Sequence, residues 1–384
     1  MNANTHEVVV VGAGPAGSVA AAVLAKQGCH VLLLDKAKFP RDKTCGDAIG
    51  WSSMKLLSDL GLSLESKRQE LYVCDKVRAI SPNGYVFEGL LPQKDGYRRY
   101  GYVVPRKDFD YLLWEFALQQ GVRFEQLCVI EPIIERNVVC GVRGSLDGEA
   151  VERRARITIG ADGANSIIAR SLRPGKAAAR HRSVALRAYF NGVQDLDHCM
   201  EFYFDHTMLR GYGWIFPFGD GMANIGVGLR LDTFYKNGKS LRQVFERFTC
   251  SPLVAKRLSK AMQVGEARGW TLSHGPQQLQ RAYRGALLVG DAGAFVSPLT
   301  GAGIPNALET GRIAAEVALK ALQGNSGSLD ELHEFEIKWK SVLGQKLGLE
   351  AILRALLSWP GILDLMIREM CRSERFAHFV LTRL

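Results

Sequence analysis

The feature that most constrains this chain is an uncharged run, Val8 to Ala25, broken by Gly12, Gly14, Pro15 and Gly17. The run is long enough to cross a bilayer, but glycines at this spacing divide it into a strand, a tight turn and a helix. Val8 to Val11 suit a strand buried on both faces, as in a parallel sheet, spanning Glu7 to Val11. Small residues then predict a helix from Ala16 to Gln27, closed by Gly28, and a second strand from His30 to Asp35. In that setting Gly12-Ala-Gly14-Pro-Ala16-Gly17 is a dinucleotide fingerprint. Gly12 permits the turn, Gly14 and Ala16 leave backbone open to a pyrophosphate, and Gly17 lets helix and strand pack closely. The helix start supplies N–H groups to the phosphates. Asp35, followed by Lys36, is placed to meet the adenosine ribose.

Three later segments favour a flavin dinucleotide over a nicotinamide one. Gly160-Ala-Asp162-Gly163 and Leu288-Val-Gly290-Asp291-Ala-Gly293 each end a strand with an aspartate among small residues. Such an aspartate can accept a hydrogen bond from a ribityl chain. Pro298-Leu-Thr-Gly301-Ala-Gly303-Ile304 is a glycine-rich turn entering an Ala-rich helix, Pro305 to Leu322. Its N–H groups suit the pyrimidine end of a reduced flavin ring. From Ser183 to Leu231 the pattern changes to short aromatic runs, which predict an antiparallel sheet. Tyr212, Trp214 and Phe216 alternate, so they share one strand face, with Pro217 following. Gly324 to Ser328 reads as a polar linker and Leu329 to Leu384 as amphipathic helices.

The order of these motifs resembles the flavoproteins related to aromatic hydroxylases. Phe39-Pro-Arg-Asp-Lys43-Thr-Cys45-Gly46-Asp47 and Tyr212-Gly-Trp214-Ile-Phe216-Pro217, continuing to Asn224-Ile-Gly-Val-Gly228, narrow the resemblance to the geranylgeranyl reductase family. It departs from the commoner forms at Thr44, Ala48, Phe218 and Ala302. The resemblance implies an α/β fold: a Rossmann-type FAD-binding domain like those of glutathione reductase and the aromatic hydroxylases, an antiparallel-sheet substrate domain, and C-terminal helices. The expected division is 1–75, 100–175 and 265–325 for FAD, 76–99 and 176–264 for substrate, and 326–384 for the helices. It also implies that Arg106 contacts the cofactor and that Cys45 and Gly46 lie beside the flavin. Tyr212, Trp214, Phe216 and Pro217 then line a tunnel for a prenyl chain. The expected reaction saturates a C=C bond with hydride from reduced flavin, electrons coming from NAD(P)H or ferredoxin. Cys45, Tyr212 and a water stand open as proton donors. For Cys45, packing is an equal reading; Lys43 beside it is expected to lower the thiol pKa. The alternatives are a flavin monooxygenase and a flavoprotein passing electrons to quinone.

Eight scattered cysteines form no CxxC pair and no metal-like spacing with histidine, which predicts free thiols, a reducing compartment and no metal. Nucleic-acid motifs are absent, and no aromatic residue interrupts the basic stretch from Arg153 to Arg182. From Ala150 to Arg187 nine Lys/Arg face two Asp/Glu, a surplus of +7. Together with the C-terminal helices around Trp359 and Met366, this predicts a cytoplasmic protein in peripheral contact with the inner face of a membrane.

Overall fold

The computed structural model describes residues 5–382 apart from 68, 95–96, 147, 174, 176–177, 209–210, 237, 239, 276–277 and 325–328. All but the first residue of the expected linker thus lies outside the described residues. The valine run forms the strand Thr5–Val11, the fingerprint opens the helix Pro15–Lys26, and Val31–Asp35 returns as a strand. Thr5–Val11 pairs in parallel with Val31–Asp35 on one side and with Glu149–Gly160 on the other. Ala286–Leu288 adds in parallel beyond Glu149–Gly160. Register sets Val11, Gly160 and Leu288 side by side, so the loops after all three leave one edge of the sheet. Ligands of open α/β sheets bind at this carboxyl edge. The helix Ile304–Gln323 lies against Pro15–Lys26, and a Cβ at Gly311 would overlap the Ala16 carbonyl. Only small residues permit that approach.

The aromatic runs form a second, seven-stranded sheet ordered Met262–Ser273, Arg182–Asn191, Met222–Arg230, Gly211–Gly219, Cys199–Tyr203, Lys76–Ile80 and Val86–Leu90. The expected boundary at 264/265 falls inside the strand Met262–Ser273, and the sheet continues to Ser273. One face buries Ile215, Ile225 and Val227 with Val244, Phe245 and Phe248 of the helix Leu241–Thr249. Buried Glu201 accepts from Arg257 and Tyr203 on that side. The opposite face packs Trp214 and Phe216 on Cys74 and Val103 of a small three-stranded sheet formed by Ala48–Ile49, Gly101–Val103 and Val73–Cys74.

The C-terminal helices are not a separate body. Leu332, Phe335 and Trp339 of the helix Leu329–Trp339 are buried in the core of the first sheet. The Arg281 guanidinium lies 4.4 Å from both the Phe295 and Trp339 ring centroids. The helix Pro360–Arg372 instead packs on Phe87 of the second sheet, where Asp364 accepts from Asn83. Three cations of the basic stretch are held by carboxylates. Arg153 pairs with Glu125, Arg154 with Glu135 and buried Arg187 with Asp42. On the strand Glu149–Gly160, Arg153 and Arg154 meet separate acidic neighbours, while Arg156 donates to the Leu322 carbonyl.

Candidate flavin and substrate site

At the fingerprint the backbone is held open by the absence of side chains. Gly12 has φ of +103°, and a Cβ there would overlap the Ala161 carbonyl. A Cβ at Gly17 would overlap the Gly12 carbonyl. No side chain caps the helix Pro15–Lys26, so its first N–H groups face outward from Gly14 and Ala16. Asp35 accepts from Ala13 N and Ala37 N at 2.9 Å each, which locks the strand end where a ribose would sit; Lys36 follows it. Arg41, Lys43 and Arg106 converge on this edge. Asp110, fully buried, accepts from Arg106 at 2.6 and 2.7 Å and from Arg41 at 2.6 Å. These two guanidiniums hold its carboxyl below the usual range against the opposing effect of burial. Burial lowers the Lys43 pKa, countered by Asp291, and no described carboxylate lies within ion-pair distance of its ammonium. A half-buried cation with no ion pair, next to an open helix start, suits an anionic cofactor.

The remaining predicted residues meet here, with one differing in role. Asp291 Oδ1 lies 3.3 Å from where a Cβ at Gly303 would stand, next to Ile304 at the helix start. Gly301 has φ of +72°, a conformation favouring glycine. Asp162, by contrast, accepts from Ser166 Oγ and from Ile167 N at 2.7 Å, so it fastens the start of the helix Ile167–Leu172. Cys45 sits beside Arg106, which hydrogen-bonds to it, yet burial pushes the thiol pKa up. The expected lowering by Lys43 is therefore reversed: removal of water outweighs the neighbouring cation.

Register explains the spacing in the second sheet. Tyr212, Trp214 and Phe216 pair with Gly228, Gly226 and Asn224, and these with Ala185, Arg187 and Tyr189. Directly paired residues share a face, so the aromatics lie together on the side that packs on Cys74 and Val103, away from the Leu241–Thr249 helix. Glycine at 226 is required because a Cβ there would overlap the Trp214 ring. Phe202 joins the wall, 5.6 Å from Tyr212 and 5.2 Å from Phe216 between ring centroids. The Tyr212 hydroxyl donates to the Thr300 carbonyl in the Pro298–Ile304 turn, so the wall touches the loop expected to face the flavin. Burial raises the Tyr212 pKa, which keeps its hydroxyl protonated. Phe216 packs against Gly46, while Pro217 offers its carbonyl to Cys74; because it pairs with Ala223 of the helix-covered core, its ring lies on the opposite strand face from the wall it was expected to line.

Sequence reasoning passed over Asp47. It is fully buried with φ of +65°, and its Oδ2 accepts from Tyr189 Oη at 2.6 Å and Asn224 Nδ2 at 2.8 Å. Asn224 Oδ1 in turn accepts from Trp214 Nε1 at 2.9 Å. Asp47 Oδ1 has no hydrogen-bond partner among the described residues. Burial raises its pKa to about 6, against the lowering effects of Tyr189, Asn224, Arg187 and Arg106. The available signal was Asp47 following Cys45-Gly46 in the sequence; its partners lie far along the chain and had no local mark.

A dinucleotide cradle, a glycine-rich turn and an aromatic wall over that turn define an FAD-dependent oxidoreductase. Residues 5–330 match the FAD binding domain family. The chain is 31% identical to digeranylgeranylglycerophospholipid reductase 1 of Methanococcoides burtonii, covering 91% of this chain and 83% of that one. It is 34% identical to digeranylgeranylglycerophospholipid reductase 2 of Methanopyrus kandleri, covering 88% and 83%. A geranylgeranyl bacteriochlorophyll reductase-like structure from Thermoplasma acidophilum superposes with a TM-score of 0.85 at 25% identity, over 95% of this chain and 91% of that one. A myxobacterial chondrochloren halogenase shares the fold, with a TM-score of 0.77 at 22% identity over 90% and 82%. The chain belongs to the digeranylgeranylglycerophospholipid reductase family of flavoproteins.

Proposed function

We propose that this protein saturates carbon–carbon double bonds of a geranylgeranyl-type prenyl chain carried on a lipid. The observation that carries the reading is the Tyr212–Trp214–Phe216 wall, fastened to the Pro298–Ile304 turn through Tyr212 and Thr300. Its apolar area suits an isoprenoid chain, whose burial is favourable by roughly 0.8 kcal/mol per CH₂. FAD, held by the Gly12–Gly17 turn with Asp35, Arg106, Asp291 and the Gly301–Ile304 backbone, supplies hydride when bound and reduced. NAD(P)H or a reduced ferredoxin is the electron source in this reading.

The protein's own part is to orient the alkene, exclude water and provide the proton for the second carbon. An isolated alkene is weakly polarised, so the proton must be held close and ready. Asp47 is the group best suited to hold it, since its carboxyl changes charge near neutrality and keeps Oδ1 free. Cys45 and Tyr212, both raised by burial, hold their protons more tightly and shape the wall. The step adds one hydride and one proton across the C=C bond and leaves the flavin oxidised.

The test is anaerobic: the photoreduced flavoprotein is mixed with a geranylgeranylated phospholipid, and flavin absorbance and product mass are followed. Reoxidation with a product heavier by H₂ supports the reductase. Reoxidation only on admission of oxygen, with a product heavier by one oxygen atom, makes it a monooxygenase and defeats the reading.

A further inference from the structure

Beyond the aromatic wall, the same sheet face ends in cations. Ser183 pairs with Arg230 and with Leu272, one register step of two residues past the Ala185–Gly228–Tyr212 row. At the strand rise this is about 7 Å beyond Tyr212. His274, two residues past Leu272, is buried and shares a hydrogen bond of 3.0 Å between its Nε2 and Ser183 Oγ. Arg354, from the helix Gln345–Leu356, lies over it with Nη1 3.0 Å from His274 Nδ1. Arg180 Nε donates to His181 Nε2 at 3.2 Å beside them.

Two of these guanidiniums, Arg180 and Arg354, lack counter-ions. Among the described residues no carboxylate lies within ion-pair distance of Arg180 or Arg354. Asp232 is taken by Arg230 through two hydrogen bonds. Glu350, one turn before Arg354, accepts from Ser297 and lies 3.8 Å from Lys346. Burial, with Arg230 nearby, lowers the Arg354 pKa to about 10, and burial with Arg354 lowers that of His274 to about 3. Three guanidiniums and one carboxylate leave a surplus of two positive charges, at one end of an apolar wall. The unpaired, partly desolvated Arg354 guanidinium is costly unless an anion completes it, and phosphate is the anion that the planar forks of Arg354 and the exposed Arg180 match.

We infer that Arg180, Arg230 and Arg354, with Ser183, His181 and His274, bind the phosphate at the polar end of the lipid substrate, so that its prenyl chain runs along Tyr212, Trp214 and Phe216. This rests on the reductase reading for the identity of the chain, but the phosphate site is tested by binding alone. The FAD-loaded protein is titrated calorimetrically with geranylgeranyl phosphate, with geranylgeraniol and with inorganic phosphate. The ester should bind at least tenfold more tightly than the alcohol. Arg354→Gln, and independently the exposed Arg180→Gln, should shrink that preference several-fold or more while melting temperature and flavin absorbance certify the fold. Inorganic phosphate should compete with the ester. Equal affinity for ester and alcohol, or a preference unchanged in both variants, overturns the inference. So does inorganic phosphate that binds without displacing the ester, because the anion site would then be separate from the substrate. If binding follows the expected pattern yet neither prenyl compound is reduced, the phosphate site stands and the reductase reading falls.

Discussion

At single positions, the sharpest demands are for atoms that must be missing or protons that must be held. Gly17→Ala places a methyl group on the Gly12 carbonyl. Overpacking of this kind costs about 1–3 kcal/mol, and here the displaced backbone is the cofactor cradle. The purified variant should lose most of its flavin absorbance while the second sheet stays folded by circular dichroism. Asp47 gives a test of both chemistry and stability. Its carboxyl is raised from 3.8 to about 6, so its stabilising contribution is complete below about 3.8 and is lost as pH rises through about 6. The loss is on the order of 3 kcal/mol. Between those limits the melting temperature of the parent protein should fall relative to Asp47→Asn. The same variant, still loaded with FAD, should reduce substrate roughly 100-fold more slowly; unchanged turnover would remove Asp47 from the proton path.

Among strands and helices, periodicity decided what could be foreseen. The valine strand, the Gly12–Gly17 turn and the helix Pro15–Lys26 were legible because each is specified locally. So was the shared face of Tyr212, Trp214 and Phe216, which follows from alternation alone. The partners of that face were not legible. Tyr189, Asn224 and Gly226 reach it through strand pairing, and no short-range pattern marks which strands will be neighbours. Asp162 shows the converse error, a strand-end aspartate whose lone pairs serve the next helix. The role of glycine at 226 is testable at this scale. Gly226→Ala should push the Trp214 indole into the wall, shift tryptophan fluorescence and lower kcat/KM for a prenyl substrate roughly tenfold. Flavin content should not change, since the cradle lies in the other sheet. A variant with normal kcat/KM would show that the wall does not contact the chain.

For the whole molecule, the C-terminal helices complete both halves and also present an unusual surface. Leu349, Ile352, Leu356, Trp359, Ile362 and Leu365 are exposed, Trp359 by 69%. No helix among the described residues is long and apolar enough to cross a membrane. Exposed apolar side chains concentrated on two successive helices suit an interaction site, and a prenyl lipid must be drawn from a bilayer. The reductase reading predicts peripheral membrane contact, and these exposed helices are where it is tested. FAD-loaded protein should co-sediment with anionic phospholipid vesicles at low salt, and Trp359→Ser with Ile362→Ser should release it. Vesicle binding equal in parent and variant would move the contact elsewhere.

The parallel register of the first sheet has a consequence for biosynthesis. Thr5–Val11 pairs early with Val31–Asp35 but cannot acquire its second neighbour until Glu149–Gly160 has been made, and that strand waits in turn for Ala286–Leu288. Long sequence separations of this kind slow folding. The two loops that enclose the proposed flavin site, after Val11 and before Ile304, come from opposite ends of this wait. A ribosome must deliver three-quarters of the polypeptide before the pocket can close, so nascent chains meet the cell's flavin supply late. Scarcity of FAD would then be felt as a shortage of finished, protease-resistant protein rather than as a pool of stable empty enzyme.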